Sequence, residues 1–364
     1  MLLQESIKHW IDSLAGNARH DSRLVLDLPE CRIELRSNSP ELVAKMRAYF
    51  HDVVSLDEER PCQVHVIAIE GPAADLPIDY TPRPPEPGKQ KIKEEFVEFV
   101  DGRIVRKKLT GMLFLFGGSR QIAYGPCLAN DNQVVNFINS RYLHFQVQRG
   151  ALLCHAAGVA VENRGLALAG LAGRGKSTLA LHLLSRGADF VSNDRLLIRR
   201  DKQFRMLGIP KLPRINPGTV LHNPQLESVM SPAERAAVAH LPPDQLWSLE
   251  QKYDVYLDQC FGPGHFRMAA EMTGLVMLTW QRNSHPLEIR RVRMVDRPDL
   301  LDAFRKTLGL FTGGDDDELG SADGTPEEYT RMLGDCPVFE FAGGVDFDRA
   351  AEVCLRFMRE GSME

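Results

Sequence analysis

Apolar and polar positions alternate along the first third of the chain. Residues 23 to 36 read as half-buried strands, residues 39 to 50 as an amphipathic helix opened by Ser39-Pro40, and residues 63 to 69 as a further strand. Two hairpins follow, 96–100 with 103–106 about Asp101-Gly102, and 112–116 with 121–124 about Gly117-Gly118. Between these groups, residues 71 to 88 hold six prolines, which donate nothing to a strand ladder, so an exposed loop is expected there. The period changes at Asn130. Val134, Val135, Ile138, Tyr142, Leu143 and Phe145 recur at helical spacing as far as Gly150, and this helix is expected to open a second domain.

The pattern predicts an α/β protein. Residues 1–129 form an N-terminal, mostly β (α+β) domain and residues 130–364 a second domain, which begins with its helix and short strands at 151–155 and 158–161, then an apolar strand at 166–169. The stretches around Pro242-Pro243 and from 313 to 328 read as surface loops, and no internal repeat is present.

Composition narrows the function classes. With 364 residues, 43% hydrophobic and 26% charged, the chain excludes a disordered, collagen-like or long coiled-coil protein. A net charge of -5 argues against nucleic acid or an anionic membrane as main partner. Local basic runs at 106–108, 195–200 and 290–293 lie in strand-like alternation without interleaved aromatics, as solvated faces do. The seven cysteines are irregularly spaced, odd in number and free of any CxxC, so reduced thiols in a cytoplasmic protein are expected rather than disulfides or a zinc site. Residues 1–10 carry charge too early for a signal-peptide core, and no apolar run approaches membrane-spanning length.

The chemistry is concentrated after the 166–169 strand. Gly170-Leu171-Ala172-Gly173-Arg174-Gly175-Lys176-Ser177-Thr178 matches the phosphate-loop pattern GxxxxGK[ST] and runs into a helix closed by Gly187. The glycines permit a tight turn that aims backbone N–H groups at phosphate oxygens, and the helix start adds its positive dipole end. Lys176 is placed to bridge the β and γ phosphates of ATP and Ser177 to hold magnesium. The acid that completes such a site is expected to end a nearby strand. Asp194 follows the strand 189–192 by a short step, which favours it over Asp258 and Asp296. His155, on the strand before the loop, is on spacing alone either a structural group or one near the γ phosphate.

Taken together, His155, the loop ending in Ser177, and Phe190-Val191-Ser192-Asn193-Asp194 resemble the catalytic domain of the HPr kinase/phosphorylase family, most closely its B-type related proteins. The resemblance is specific over roughly residues 150 to 200 and looser beyond. It implies a phosphate-loop kinase domain related in fold to phosphoenolpyruvate carboxykinase, moving phosphate from ATP to a serine hydroxyl with magnesium, in a protein that is often a homo-oligomer. Position by position, residues 170 to 178 match the family's nucleotide loop and His155 its histidine beside the transferred phosphate. The family usually carries two adjacent aspartates, the first acting as general base. Here Asn193 stands first and Asp194 second, and an amide takes up no hydroxyl proton. Asp194 is then left with both the metal and the base role, or transfer proceeds with little base help. Phosphorolysis is the activity this departure touches most.

Downstream, Lys211 and Arg214 lie among Pro210, Pro213 and Pro217 and resemble the family's loop that brings cations toward the phosphates; a stiff surface connection reads equally well. Lys252 and Asp254 carry no assignment, and the acidic run Asp315–Glu318 reads as a solvated loop. The acceptor is open between a protein serine and the hydroxyl of a small molecule. A nucleotide-responsive binding module with weak or no transfer is the alternative from a different class.

Overall fold

In a computed structural model of the chain, the described residues are 2–3, 6–16, 19–85, 91–117, 120–249, 251–312 and 323–363. The chain divides into two compact units, Met1–Arg149 with Leu308–Ala322, and Gly150–Thr307 with Asp323–Glu364. The acidic run at 315–318, Gly118 and residues 86–88 of the proline-rich stretch lie outside the described residues.

A mixed sheet forms the first unit. Its strands run in the order Leu2–Leu3, Glu94–Phe99, Gly102–Lys107, Leu113–Gly117, Arg120–Gly125, Val64–Glu70, Cys31–Ser37 and Ser22–Leu28. Both expected hairpins form, with Phe99 opposite Gly102 and Gly117 opposite Arg120. The helix Pro40–Tyr49 begins where Ser39 Oγ accepts the Leu42 N–H at 3.2 Å, satisfying one of the donors that every helix start leaves open. The helix Asp131–Gln148 belongs to this unit, so the boundary falls at 149/150 rather than at 129/130. Its apolar positions are used against the β-sheet: the Phe137 ring lies 5.0 Å from Phe114 and 6.1 Å from Phe116. The change of period at Asn130 marks a change of secondary structure and not of domain. Phe311 returns to the same cluster, edge-on to Phe114 at 5.4 Å, while Arg103 Nη1 donates to Leu310 O at 2.5 Å.

The second unit is a mixed sheet covered on both faces. Strand order is Leu152–Cys154, Leu196–Arg200, Phe204–Leu207, Ala269–Leu278, Arg164–Gly170, Ala156–Val161 and Asp189–Ser192; Val338–Gly343 also pairs with Ala269–Leu278 and carries Leu287–Val292 on its other side. Arg164–Gly170 is parallel to Ala269–Leu278 and antiparallel to Ala156–Val161. Two-sided burial explains why residues 166–169 are apolar without alternation. Leu166 and Leu168 pack with Leu179, Leu183 and Phe357 from the helices Lys176–Leu184 and Phe347–Glu360. Ala167 and Ala169 face Met277, Phe304 and Tyr329 on the opposite side. Among the described residues, no helix is long and apolar enough to cross a membrane.

Candidate functional site

The site grows from the end of the Arg164–Gly170 strand. Gly170 has φ 144° and sits so close to Leu278 that a Cβ would fall 2.6 Å from its carbonyl oxygen. Gly175 has φ 88°, left-handed backbone that glycine adopts without cost, and the helix starts at the next residue. The loop is tied down from behind. Trp280 Nε1–H donates to Arg174 O at 2.7 Å, and Arg174 Nη1 donates to Trp280 O at 2.8 Å.

Lys176 is 8% exposed and folds back over the loop, its Nζ donating to Gly170 O at 2.7 Å and to Leu171 O at 3.3 Å. Burial pushes this amine down to about 8; Asp194 acts against that shift, while Lys306 and Lys252 add to it. Ser177 is half-buried beside it, and the Thr178 hydroxyl meets the Thr219 hydroxyl at 2.9 Å.

A cleft of about 390 Å³ opens in front of the loop. Ala172, Gly173 and Gly175 to Thr178 line it, whereas Gly170, Leu171 and Arg174 do not. Arg174 is spent on Trp280, and Leu171 is 58% exposed outside the cleft. His155, Asn193, Asp194, Lys211 and Arg214 all line the same space, so one cleft gathers the predicted catalytic residues. Asp258, in the helix Leu257–Phe261, and Asp296, in the turn Met294–Asp296, are not among its lining residues.

Asp194 follows the Asp189–Ser192 strand, which runs beside Ala156–Val161. Its Oδ1 lies 3.1 Å from His155 Nε2, and its Oδ2 is ion-paired with Lys306. Partial burial opposes ionisation, but the His155 hydrogen bond and the Lys306 charge outweigh it and hold the carboxyl well below the usual carboxylate range. The Asn193 Oδ1 is buried and meets no hydrogen-bond donor among the described residues. Arg214 pairs with Asp254, Nε to Oδ1 at 3.0 Å, across a two-stranded ladder that sets these residues opposite each other. Burial, reinforced by Arg195 and Arg214, pushes the Lys211 amine down to about 8.

Lys306 is the residue sequence reasoning missed. It comes after the helix Pro298–Phe304, where the chain runs along Leu153–His155 through His155 N–H to Phe304 O at 2.7 Å and Lys306 N–H to Leu153 O at 3.2 Å. No local motif announces it. Lys306 is not among the cleft's lining residues, whereas Trp247 and Arg282 line it unforeseen, with the Arg282 guanidinium 4.1 Å above the Trp247 ring.

No family model matches the chain, and no curated protein matches it. Among solved structures, the HPr(Ser) kinase/phosphatase from Coxiella burnetii aligns at a TM-score of 0.28 and 12% identity, covering 57% of this chain and 88% of that one. A similarity that low bears on neither the site nor the reaction.

Proposed function

We propose that this protein is an ATP-dependent phosphotransferase that moves the γ-phosphate to a hydroxyl acceptor. One observation carries the reading: a glycine loop opening a helix with Lys176 and Ser177 faces the ionised Asp194 across one cleft. The loop N–H groups and Lys176 bind the phosphates. Ser177 and Asp194, a hydroxyl and a carboxylate, are hard oxygen donors lining one space, a set that suits magnesium, which would neutralise phosphate charge there.

Transfer forms a bond from the acceptor oxygen to the γ-phosphorus and breaks the bond to the bridging oxygen, which leaves with its electron pair as ADP. The acceptor's proton passes to Asp194, and His155 Nε2, 3.1 Å from Oδ1, fixes the carboxylate's orientation. A carboxylate held so acidic is a weak base, which suits a loose transition state in which the proton moves late. Lys211 and Arg214 favour anionic charge on the facing wall.

The test is γ-labelled ATP with magnesium and a lysate of the host, beside Lys176→Ala and Asp194→Ala controls. Label that reaches a discrete acceptor and disappears in both controls supports the kinase; ATP binding with neither transfer nor hydrolysis defeats it. The buried amide of Asn193, standing where a second carboxylate would serve as base, favours a second reading, a nucleotide-responsive binding module. On that reading Asn193→Asp creates turnover that the native protein lacks.

A further inference from the structure

Among the described residues that line the cleft, six are lysines or arginines, Lys176, Arg195, Lys211, Arg214, Lys252 and Arg282, and Asp194 is the one carboxylate. Such crowding on the wall of a small cleft opposes folding through like-charge repulsion and is stabilised by bound anions. The donor triphosphate accounts for Lys176, which belongs to the loop. It does not by itself account for Arg195, Lys211 and Arg214, which come from a different part of the chain and of which Arg214 is partly neutralised by Asp254 at 3.0 Å. Arg195 directly follows Asp194, and Lys211 and Arg214 stand on the 209–216 segment, where Lys211 N–H bonds Ile209 O at 2.7 Å and Val255 N–H bonds Pro213 O at 2.9 Å. Burial is the main cause of the lowered Lys211 proton affinity, and Arg195 and Arg214 lower it further against Asp194 and Asp254.

Resting on the phosphotransferase reading, we infer that the wall formed by Arg195, Lys211 and Arg214 is a second anion site that holds a negatively charged group of the acceptor itself. The acceptor is then a small hydroxyl compound bearing a carboxylate or phosphate, not the side chain of a protein serine. Asp194 adjoins both groups of cations, so an acceptor anchored at one and a γ-phosphate held at the other bring the hydroxyl to the carboxylate. Guanidinium groups suit this task because they match carboxylate and phosphate oxygens in pairs.

Calorimetry on the full chain tests this with two probes, the non-hydrolysable analogue AMP-PNP with magnesium and inorganic sulfate. Sulfate is expected to bind the AMP-PNP-loaded protein, and Arg195→Gln is expected to weaken sulfate at least tenfold while moving AMP-PNP affinity far less. Lys176→Ala is expected to show the reverse. Sulfate that is excluded by AMP-PNP, or binds Arg195→Gln as well as the native protein, overturns the second site. γ-Label that moves from ATP to a protein band, insensitive to both sulfate and Arg195→Gln, overturns the small anionic acceptor. Failure of AMP-PNP to bind the native protein would instead overturn the phosphotransferase reading beneath it. Circular dichroism of each variant separates these results from misfolding.

Discussion

Lys306 holds Asp194 twice, through the carboxylate Oδ2 and through the backbone carbonyl at 3.2 Å, although 112 residues separate them in sequence. The ammonium takes an oxygen that a divalent ion would otherwise use. Replacing Lys306 with Met is expected to raise Mn²⁺ affinity about tenfold, the worth of one charge-assisted hydrogen bond of roughly 1.5 kcal/mol. Electron paramagnetic titration of free Mn²⁺ reads this directly, and Asp194→Asn in the same background should remove the gain. Unchanged or weaker binding would make Lys306 a support of the metal site rather than its competitor.

Lys176 gives nucleotide binding a pH dependence of defined sign. With its amine pushed down to about 8, the empty site loses the ammonium as pH rises past that value. A triphosphate favours the charged form, so binding above about pH 8 takes up a proton, and affinity falls by up to about tenfold per pH unit. Calorimetry in two buffers of different ionisation heat measures the uptake. Lys211 titrates in the same range, so the difference between native protein and Lys176→Ala isolates the loop lysine. For folding the sign reverses: above pH 8 and up to the ordinary lysine value of 10.5, the unfolded lysine keeps a proton that the folded one lacks, and stability from this group grows as pH rises.

Two glycines separate backbone strain from crowding. At Gly175, φ 88° and a Cβ that would fall 2.8 Å from Phe347 Cζ both oppose a side chain; at Gly187, φ 90°, no atom lies within 4 Å. Gly187→Ala should therefore cost about 1 kcal/mol of strain alone, and Gly175→Ala about 1–3 kcal/mol with weakened nucleotide binding. Urea denaturation of both variants checks the order. Equal costs would show that Phe347 yields freely.

The paired hydrogen bonds between Arg174 and Trp280 predict that the back of the loop sets its grip. Trp280→Phe keeps a ring but deletes the donor to Arg174 O, which should cost about 1–2 kcal/mol of stability. Nucleotide affinity should fall with it, while Lys176 still supplies its charge. A variant with lower stability and unchanged affinity would limit Trp280 to the core.

Local pattern made much of this legible. The hairpin about Asp101-Gly102, the Ser39-capped helix and the strand–loop–helix from Arg164 to Leu184 form as the periodicity and turn residues require, because the interactions that build them lie within a few residues. The spacing from Lys176 to Asp194 spans one helix and one short strand, which return the chain to the cleft that the loop lines. What sequence alone concealed depends on long-range packing. Arg174 fits the loop motif yet turns to Trp280, and Lys306 reaches Asp194 only because the segment after Phe304 bridges to Leu153 and His155. The domain boundary was misplaced because a helix period says nothing about which sheet receives its apolar face.

The return of Phe311 to Phe114, Phe116 and Phe137 has a consequence for biosynthesis. A chain leaving the ribosome completes segments in order, N-terminal first. Here the ring that closes this aromatic cluster emerges only after most of the second sheet has been made. The nascent first unit therefore waits with an uncovered apolar surface, and a gene cut at residue 150 would leave it waiting permanently.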